Sequence, residues 1–311
     1  MILSFIIFAA ALFIDGATDC ANAVTGAVSS RAMTLRSAAV MSAVLTFFGC
    51  VVFAFFFPFV AESSAAVFSF PEGGAVAGIV SSLLAVALWS GAAWVLGLPT
   101  SEGHALLSAS AGAALALGGT VSLPRLAFLI LTIIPAALLS ALLSVILARI
   151  FQKRRGDSFR IPVIISAALS SFFHGAQDGQ KFLALILSFS ALSTSHKVPA
   201  IIASAAFMAF GTLFGGRIIR KMGTEMAVAD TRSALASDLG SALAMGILTA
   251  LGVPASTTHL KMTSLAAATR FLGGQTDRSA FLLVCCAWVA TFPVSFALSY
   301  FISRGFSAVF L

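Results

Sequence analysis

Two aspartates sit inside long apolar stretches, Asp19 in DGATDCANA (15–23) and Asp178 in HGAQDGQKF (174–182). An ionised carboxylate at mid-membrane costs about 2.5–3.5 kcal/mol on insertion scales, so a pair of them calls for a reason. Asp15, Asp19 and Asn22 fall at i, i+4 and i+7, one face of a regular helix. The adjacent Gly16 weakens that helix, and a break there would free backbone carbonyls to join Asp19 around a cation. The plainer reading is that Asp19 caps a helix at the membrane edge and that Asp178 only pairs with Lys181. That reading has to hold twice to account for both aspartates.

A second pair of segments has a different chemistry: GLPTSEGHA (97–105) and GVPASTTHL (252–260). Proline favours the first helical turn, and Ser or Thr beside it puts hydroxyls next to backbone N–H groups that the helix leaves unpaired. A helix start of this kind attracts anions. Thr100 with Ser101, and Ser256 with Thr257, are therefore candidate anion ligands, against the alternative of ordinary N-capping. His104 and His259 stand at the same offset after Pro99 and Pro254. A neutral histidine holding the hairpin backbone is the expected role, with a proton relay as the other. His174 and His196 are given no role.

The elements that must position these residues are membrane segments. Of 311 residues, 59% are hydrophobic and 9% charged, against about 25% charged in soluble domains. Mean hydropathy is +1.06. The +7 charge is scattered or placed in short loops, which argues for cytoplasmic loop bias and against nucleic acid. Cys20, Cys50, Cys285 and Cys286 lack metal or disulfide spacing and read as packing residues. The apolar start of the chain lacks a basic n-region and reads as a membrane segment.

Apolar runs fall near 1–14, 20–30, 37–60, 75–98, 100–118, 124–151, 161–173, 180–192, 198–216, 233–252, 255–272 and 279–303. The chain divides at QKRRGDSFR into a first repeat (1–152), a cytoplasmic linker (153–160) and a second repeat (161–311). In each half a G-A-x-D is followed, at nearly the same separation, by G-φ-P-x-S-x-x-H, which marks a duplication. The loop after residue 30 carries Arg31 and Arg36 and that near 62–72 carries Glu62 and Glu72, whereas 217–232 carries Arg217, Arg220, Lys221 and Arg232. Equivalent loops then lie on opposite sides, the mark of inverted repeats with an odd number of crossings each. Treating 1–30 as one helix broken around Gly16 to Asp19, and 161–192 as one broken around Gly175 to Asp178, gives five crossings per half, both termini outside. The expected fold is an all-α integral membrane protein of two inverted repeats with broken helices and about 10–12 membrane segments. Residues 100–118 and 255–272 are either full spans or re-entrant helical hairpins.

At these motifs the sequence resembles the PiT family of inorganic phosphate transporters, whose halves each carry a GAND-type motif and a later P-x-S-x-[ST]-H motif. The resemblance covers nearly the whole chain. It implies an inverted-repeat secondary transporter moving phosphate with sodium or protons, often as a homodimer. By position, the family's cation and phosphate residues fall on Asp19, Asn22, Thr100, Ser101, Asp178, Gln180, Ser256, Thr257 and Thr258. Three positions depart from the pattern: Thr18 and Gln177 stand where the motif has Asn, and Gly103 where it has Ser or Thr. Some relatives carry sulfate, the nearest competing anion. Glu102 bears on that choice. Phosphate near neutral pH keeps a P–OH that can donate to a carboxylate, whereas sulfate meets only repulsion. The alternative is that Glu102 faces an aqueous vestibule or a lysine such as Lys261.

The sequence thus predicts a multi-pass inner-membrane phosphate transporter working by alternating access, with Asp19, Asn22 and Asp178 as cation ligands and no cofactor beyond the coupling ion, sodium or proton. The phosphate ligands expected are Thr100, Ser101, Glu102, Gln180, Ser256, Thr257 and Thr258. An intramembrane di-aspartyl hydrolase is the rival of another class; it explains the aspartates but not the paired P-x-S segments. A channel is a further rival.

Overall fold

The computed structural model describes residues 2–18, 20–153, 159–187, 194–221 and 230–310. In the first half α1 (Ile2–Thr18) leads through a 3-10 turn (Cys20–Val24) into α2 (Thr25–Ser29), α3 (Leu35–Phe56), the short α4 (Phe59–Ala65), α5 (Ala75–Leu96), α6 (Glu102–Ala116) and α7 (Leu123–Phe151). The second half runs α8 (Arg160–Leu187), α9 (Thr194–Thr212), the short α10 (Gly216–Lys221), α11 (Thr231–Ala250), α12 (Thr257–Phe271) and α13 (Arg278–Phe310). Among the described residues the one sheet is a two-residue ladder pairing Phe68 with Val121 and Ser69 with Thr120.

The order of long and short helices recurs, with α8 standing for α1 through α2, α9 for α3, and so on to α13 for α7. The turn chemistry recurs with it. Helices α5 and α11 both end on a left-handed glycine, Gly97 and Gly252, each at φ 67°. Behind each, a backbone bond closes the cap, Leu98 N–H to Ala93 O and Val253 N–H to Leu248 O, both 2.8 Å. A residue with a Cβ would be strained at that φ. The proline two residues on stops any continuation, and the chain reverses through extended Ser101 or Ser256 into α6 or α12. These two helices have 15 residues each, about 22 Å of rise against a hydrocarbon core of about 30 Å. They are arms of hairpins rather than full spans, and almost all of α6 is buried.

Packing exchanges partners between halves. Helix α1 lies against α9 and α8 against α3; α6 lies against α13 and α12 against α7. Side-chain bonds repeat the exchange: Ser108 Oγ donates to Phe292 O at 2.7 Å and Thr263 Oγ1 to Ala137 O at 3.1 Å. Ser108 to Thr263 and Ala137 to Phe292 are the same step along the chain.

Lipid-type side chains face outward, with Phe56, Leu131, Val289 and Phe301 all more than 70% exposed. The interior carries Ser, Thr, Asp, Glu and Lys among alanines. With lipid as apolar as leucine, close approach of backbones must supply the packing. A Cβ on Gly16 would lie 1.9 Å from Met208 O in α9, and one on Gly175 would lie 2.1 Å from Thr46 O in α3.

That packing corrects an expectation. The first-half break falls within the expected stretch, after Thr18 and ahead of the 3-10 turn, although Gly16 itself lies inside α1. The second-half break around Gly175 to Asp178 is not there: α8 runs unbroken from Arg160 to Leu187, so the run 161–173 and the described part of the run 180–192, residues 180–187, lie in one helix. Both glycines admit a neighbouring backbone, which needs a missing Cβ and no loss of helix. Residues 154–158 of the linker, and the 222–229 part of the basic loop, lie outside the described residues.

Candidate functional site

The two hairpins aim the starts of α6 and α12 at each other in the centre of the molecule. Thr258 Oγ1 donates to Thr100 O at 2.9 Å, so the tips touch. Asn22 joins them from the 3-10 turn, its Nδ2 donating to Thr258 Oγ1 at 3.2 Å. Thr100, Ser101, Glu102, Ser256, Thr257 and Thr258 are all at most 3% exposed. The sequence-predicted anion ligands of the hairpins therefore converge from opposite halves.

The two serines do different things. Ser256 Oγ accepts from His259 N–H at 3.2 Å, an N-cap. Ser101 makes no such cap; its Oγ lies 3.1 Å from His104 Nδ1. The imidazoles of His104 and His259 stand 5.6 Å apart. The ring of His259 lies 3.8 Å from that of Trp288, tilted by 41°, and His104 lies 5.2 Å from Phe292. Trp288 Nε1 in turn donates to Pro99 O at 3.2 Å. These contacts fit histidines that hold the hairpins against α13.

Carboxylates ring the hairpin tips. Glu102 Oε1 accepts from Thr18 Oγ1 at 2.8 Å and from Thr100 Oγ1 at 3.0 Å. It is buried, and Lys261, the lysine considered for it, pairs instead with Asp238. Asp178, on the unbroken α8, accepts from Thr257 Oγ1 at 3.2 Å and from Lys181 Nζ at 2.7 Å. The pairing of Asp178 with Lys181 is thus real, and it sits at the site. Asp15 is fully buried, neither carboxylate oxygen is hydrogen-bonded among the described residues, and Asp178, Glu102 and Lys181 are its charged neighbours. Asp19 lies outside the described residues.

Gln180 stands apart from this cluster. Its Oε1 accepts from Val60 N–H at 2.9 Å and Ala61 N–H at 3.3 Å, and its Nε2 donates to Ala176 O at 2.9 Å. The carboxamide thereby holds the N-terminus of α4. Gln177, where the motif has Asn, bridges to the second hairpin, donating to Val253 O and accepting from Ala255 N–H.

Sequence reasoning missed the buried pair of Asp238 on α11 with Lys261 on α12. The signal was present: an acidic residue inside one apolar segment and a lysine inside the next, where a charge needs a partner. Reading the segments singly hid it.

The family profile described as the phosphate transporter family matches residues 15–158 and 150–299. The chain belongs to this family. Among its relatives, a protein of Bacillus subtilis (strain 168) described as a probable low-affinity inorganic phosphate transporter is 31% identical over 329 residues, covering 97% of each chain. A protein of Rhizobium meliloti (strain 1021) with the same description is 31% identical over 307 residues, covering 92% of this chain and 90% of its own. The fold matches a solved structure titled the sodium-dependent phosphate transporter, with a TM-score of 0.85 at 18% identity and 99% of each chain covered. Members of the PiT family are transporters, so the hydrolase reading of the paired aspartates falls away. Membership also makes the chain a multi-pass protein of the cell membrane.

Proposed function

We propose that this PiT-family protein is a secondary active transporter of inorganic phosphate, coupled to sodium or protons and working by alternating access. The observation that carries the reading is the meeting of two helix starts from opposite halves, joined through Thr258 and Thr100 and ringed by carboxylates. Helix starts offer unpaired N–H donors and the positive end of the dipole, which suit an oxyanion. The bacterial relatives described as phosphate transporters support phosphate as that oxyanion.

Charge argues for coupling. Asp15, Glu102 and Asp178 surround the tips with Lys181 as the near counter-charge. A phosphate anion entering such a buried site adds to a negative balance that a low dielectric does not screen. Cations or protons must enter with it. Asp19 and Asn22 are the residues proposed to receive them, with Asp178 neutralised beside them. Glu102, already accepting from two threonines, is proposed to take the P–OH of hydrogen phosphate and so to disfavour sulfate. The inverted arrangement of the halves, a cytoplasmic linker at 153–160 and a dimer belong to the same reading.

Radiolabelled phosphate uptake into proteoliposomes tests it, with an inward sodium gradient, then a proton gradient, and unlabelled sulfate as competitor. Uphill phosphate accumulation under one gradient is expected. Flux that never runs uphill would mean a channel, and accumulation of sulfate in preference to phosphate would overturn the substrate.

A further inference from the structure

We propose that Lys181 is a tethered cation that fills the second half's cation position, so that exchangeable coupling cations bind in the first half only. The inference rests on the cation-coupled transport proposed above and says where the coupling resides. Aligning the duplicated motifs sets Asp19 opposite Asp178 and Asn22 opposite Lys181. The first half thus has a neutral amide where the second has an ammonium.

The surroundings changed together. In the hairpins, Thr258 of the second corresponds to Gly103 of the first, each directly before its histidine. Asn22 faces Thr258, donating to its hydroxyl at 3.2 Å. Lys181 faces Gly103: a Cβ there would lie 2.3 Å from Lys181 Cδ and 2.6 Å from its Nζ. Each contact joins the aspartate motif of one half to the hairpin of the other, and an Asn with Thr in one place is a Lys with Gly in the other. The missing side chain at Gly103 is the room the lysine occupies, which gives a physical reason for that departure from the family pattern.

The ligands of the ammonium are those a hard cation would choose. Lys181 Nζ lies 2.7 Å from Asp178 Oδ1 and 2.6 Å from the main-chain Ala255 O, with Thr257 on the other carboxylate oxygen. Carboxylate and carbonyl oxygens are the ligands of hard cations such as calcium. Lys181 is 1% exposed, and its ammonium cannot leave with the substrate.

The test is the number of cations that enter with each phosphate, read as sodium-22 or proton co-entry against phosphorus-32 in proteoliposomes. The double variant Lys181→Asn with Gly103→Thr gives the second half the first half's pair, and it should co-transport about one more cation per phosphate and depend more steeply on that cation. An unchanged ratio in a transporting double variant overturns the proposal. If the variant does not transport, sodium-22 binding and proton uptake by the purified protein in saturating phosphate read the same difference: one more cation than wild type is expected, and an equal number overturns it. A wild-type protein that accumulates no phosphate defeats the functional reading instead, and the binding count still separates the two.

Discussion

The two halves of this protein repeat the same helices and hairpins and then differ at the centre. In the first half the chain breaks after Thr18 into a 3-10 turn that brings Asn22 to the hairpin tips. In the second half the equivalent helix runs straight through, and Asp178 carries a lysine of its own. One half passes from an α-helix into a 3-10 turn, Cys20–Val24; the other has a regular helix and a fixed charge. A recurring order of helices can thus keep its packing while the residues at its centre differ, because exchanged partners and glycine contacts fix the helices, whereas a few side chains set the local chemistry of each half.

The largest expected effect comes from removing the aspartates. Asp178→Asn and Asp19→Asn should each reduce phosphate uptake to background, and normal uptake in both would break the account of coupling. Next is Lys261→Met, which strands Asp238 in the membrane interior. Losing one partner of a buried pair costs about 3–5 kcal/mol, whereas replacing both by apolar residues is often neutral. The melting temperature in detergent should fall sharply for the single variant and recover in Lys261→Met with Asp238→Leu. This pair has no first-half counterpart, Leu83 and Leu106 standing in the equivalent places, so the rescue would mark it as structural.

Glu102→Gln should lower the preference for phosphate over sulfate in competition uptake by about tenfold, the worth of one charge-assisted hydrogen bond of roughly 1.5 kcal/mol. An unchanged preference would remove Glu102 from the selectivity argument. The serines sharpen the comparison at smaller scale. Ser256→Ala removes a helix cap and should cost about 1 kcal/mol of stability, while Ser101→Ala, which removes none, should cost less than about 0.5 kcal/mol.

An effect of similar size is expected at the membrane edge. Burial alone would push the Asp230 carboxyl up, but the Ser233 N–H and hydroxyl and the Arg232 guanidinium outweigh it and hold it below the usual carboxylate range. A lowered folded-state pKa contributes stability above the ordinary carboxylate pKa and loses it as pH falls through the lowered value. Asp230→Ala should therefore destabilise α11 by about 1 kcal/mol near neutral pH, with the difference vanishing in acid.

Much of this was legible in the sequence for physical reasons. Pro99 and Pro254 mark two helix starts, and the repetition of P-x-S singles out Ser101 and Ser256 before any coordinates, whereas the choice between spans and hairpins needed the helix lengths. Glycine was misread at Gly175, since a glycine that weakens a helix and one that lets a neighbour approach look alike until the neighbour is known. Asp238 and Lys261 escaped notice because their pairing is a fact of two helices packing. Gln180 carries the family's position, yet its amide is held by α4, a contact that no local pattern encodes.

Equilibrium phosphate binding to the purified protein tests the central claim most directly, in wild type and in variants that replace Ser101 with Thr100, or Ser256 with Thr257, by alanine. A single site shared by both hairpins predicts one phosphate per chain, lost when either hairpin is changed. Two phosphates per chain, or binding that survives the loss of one hairpin's hydroxyls, would contradict it.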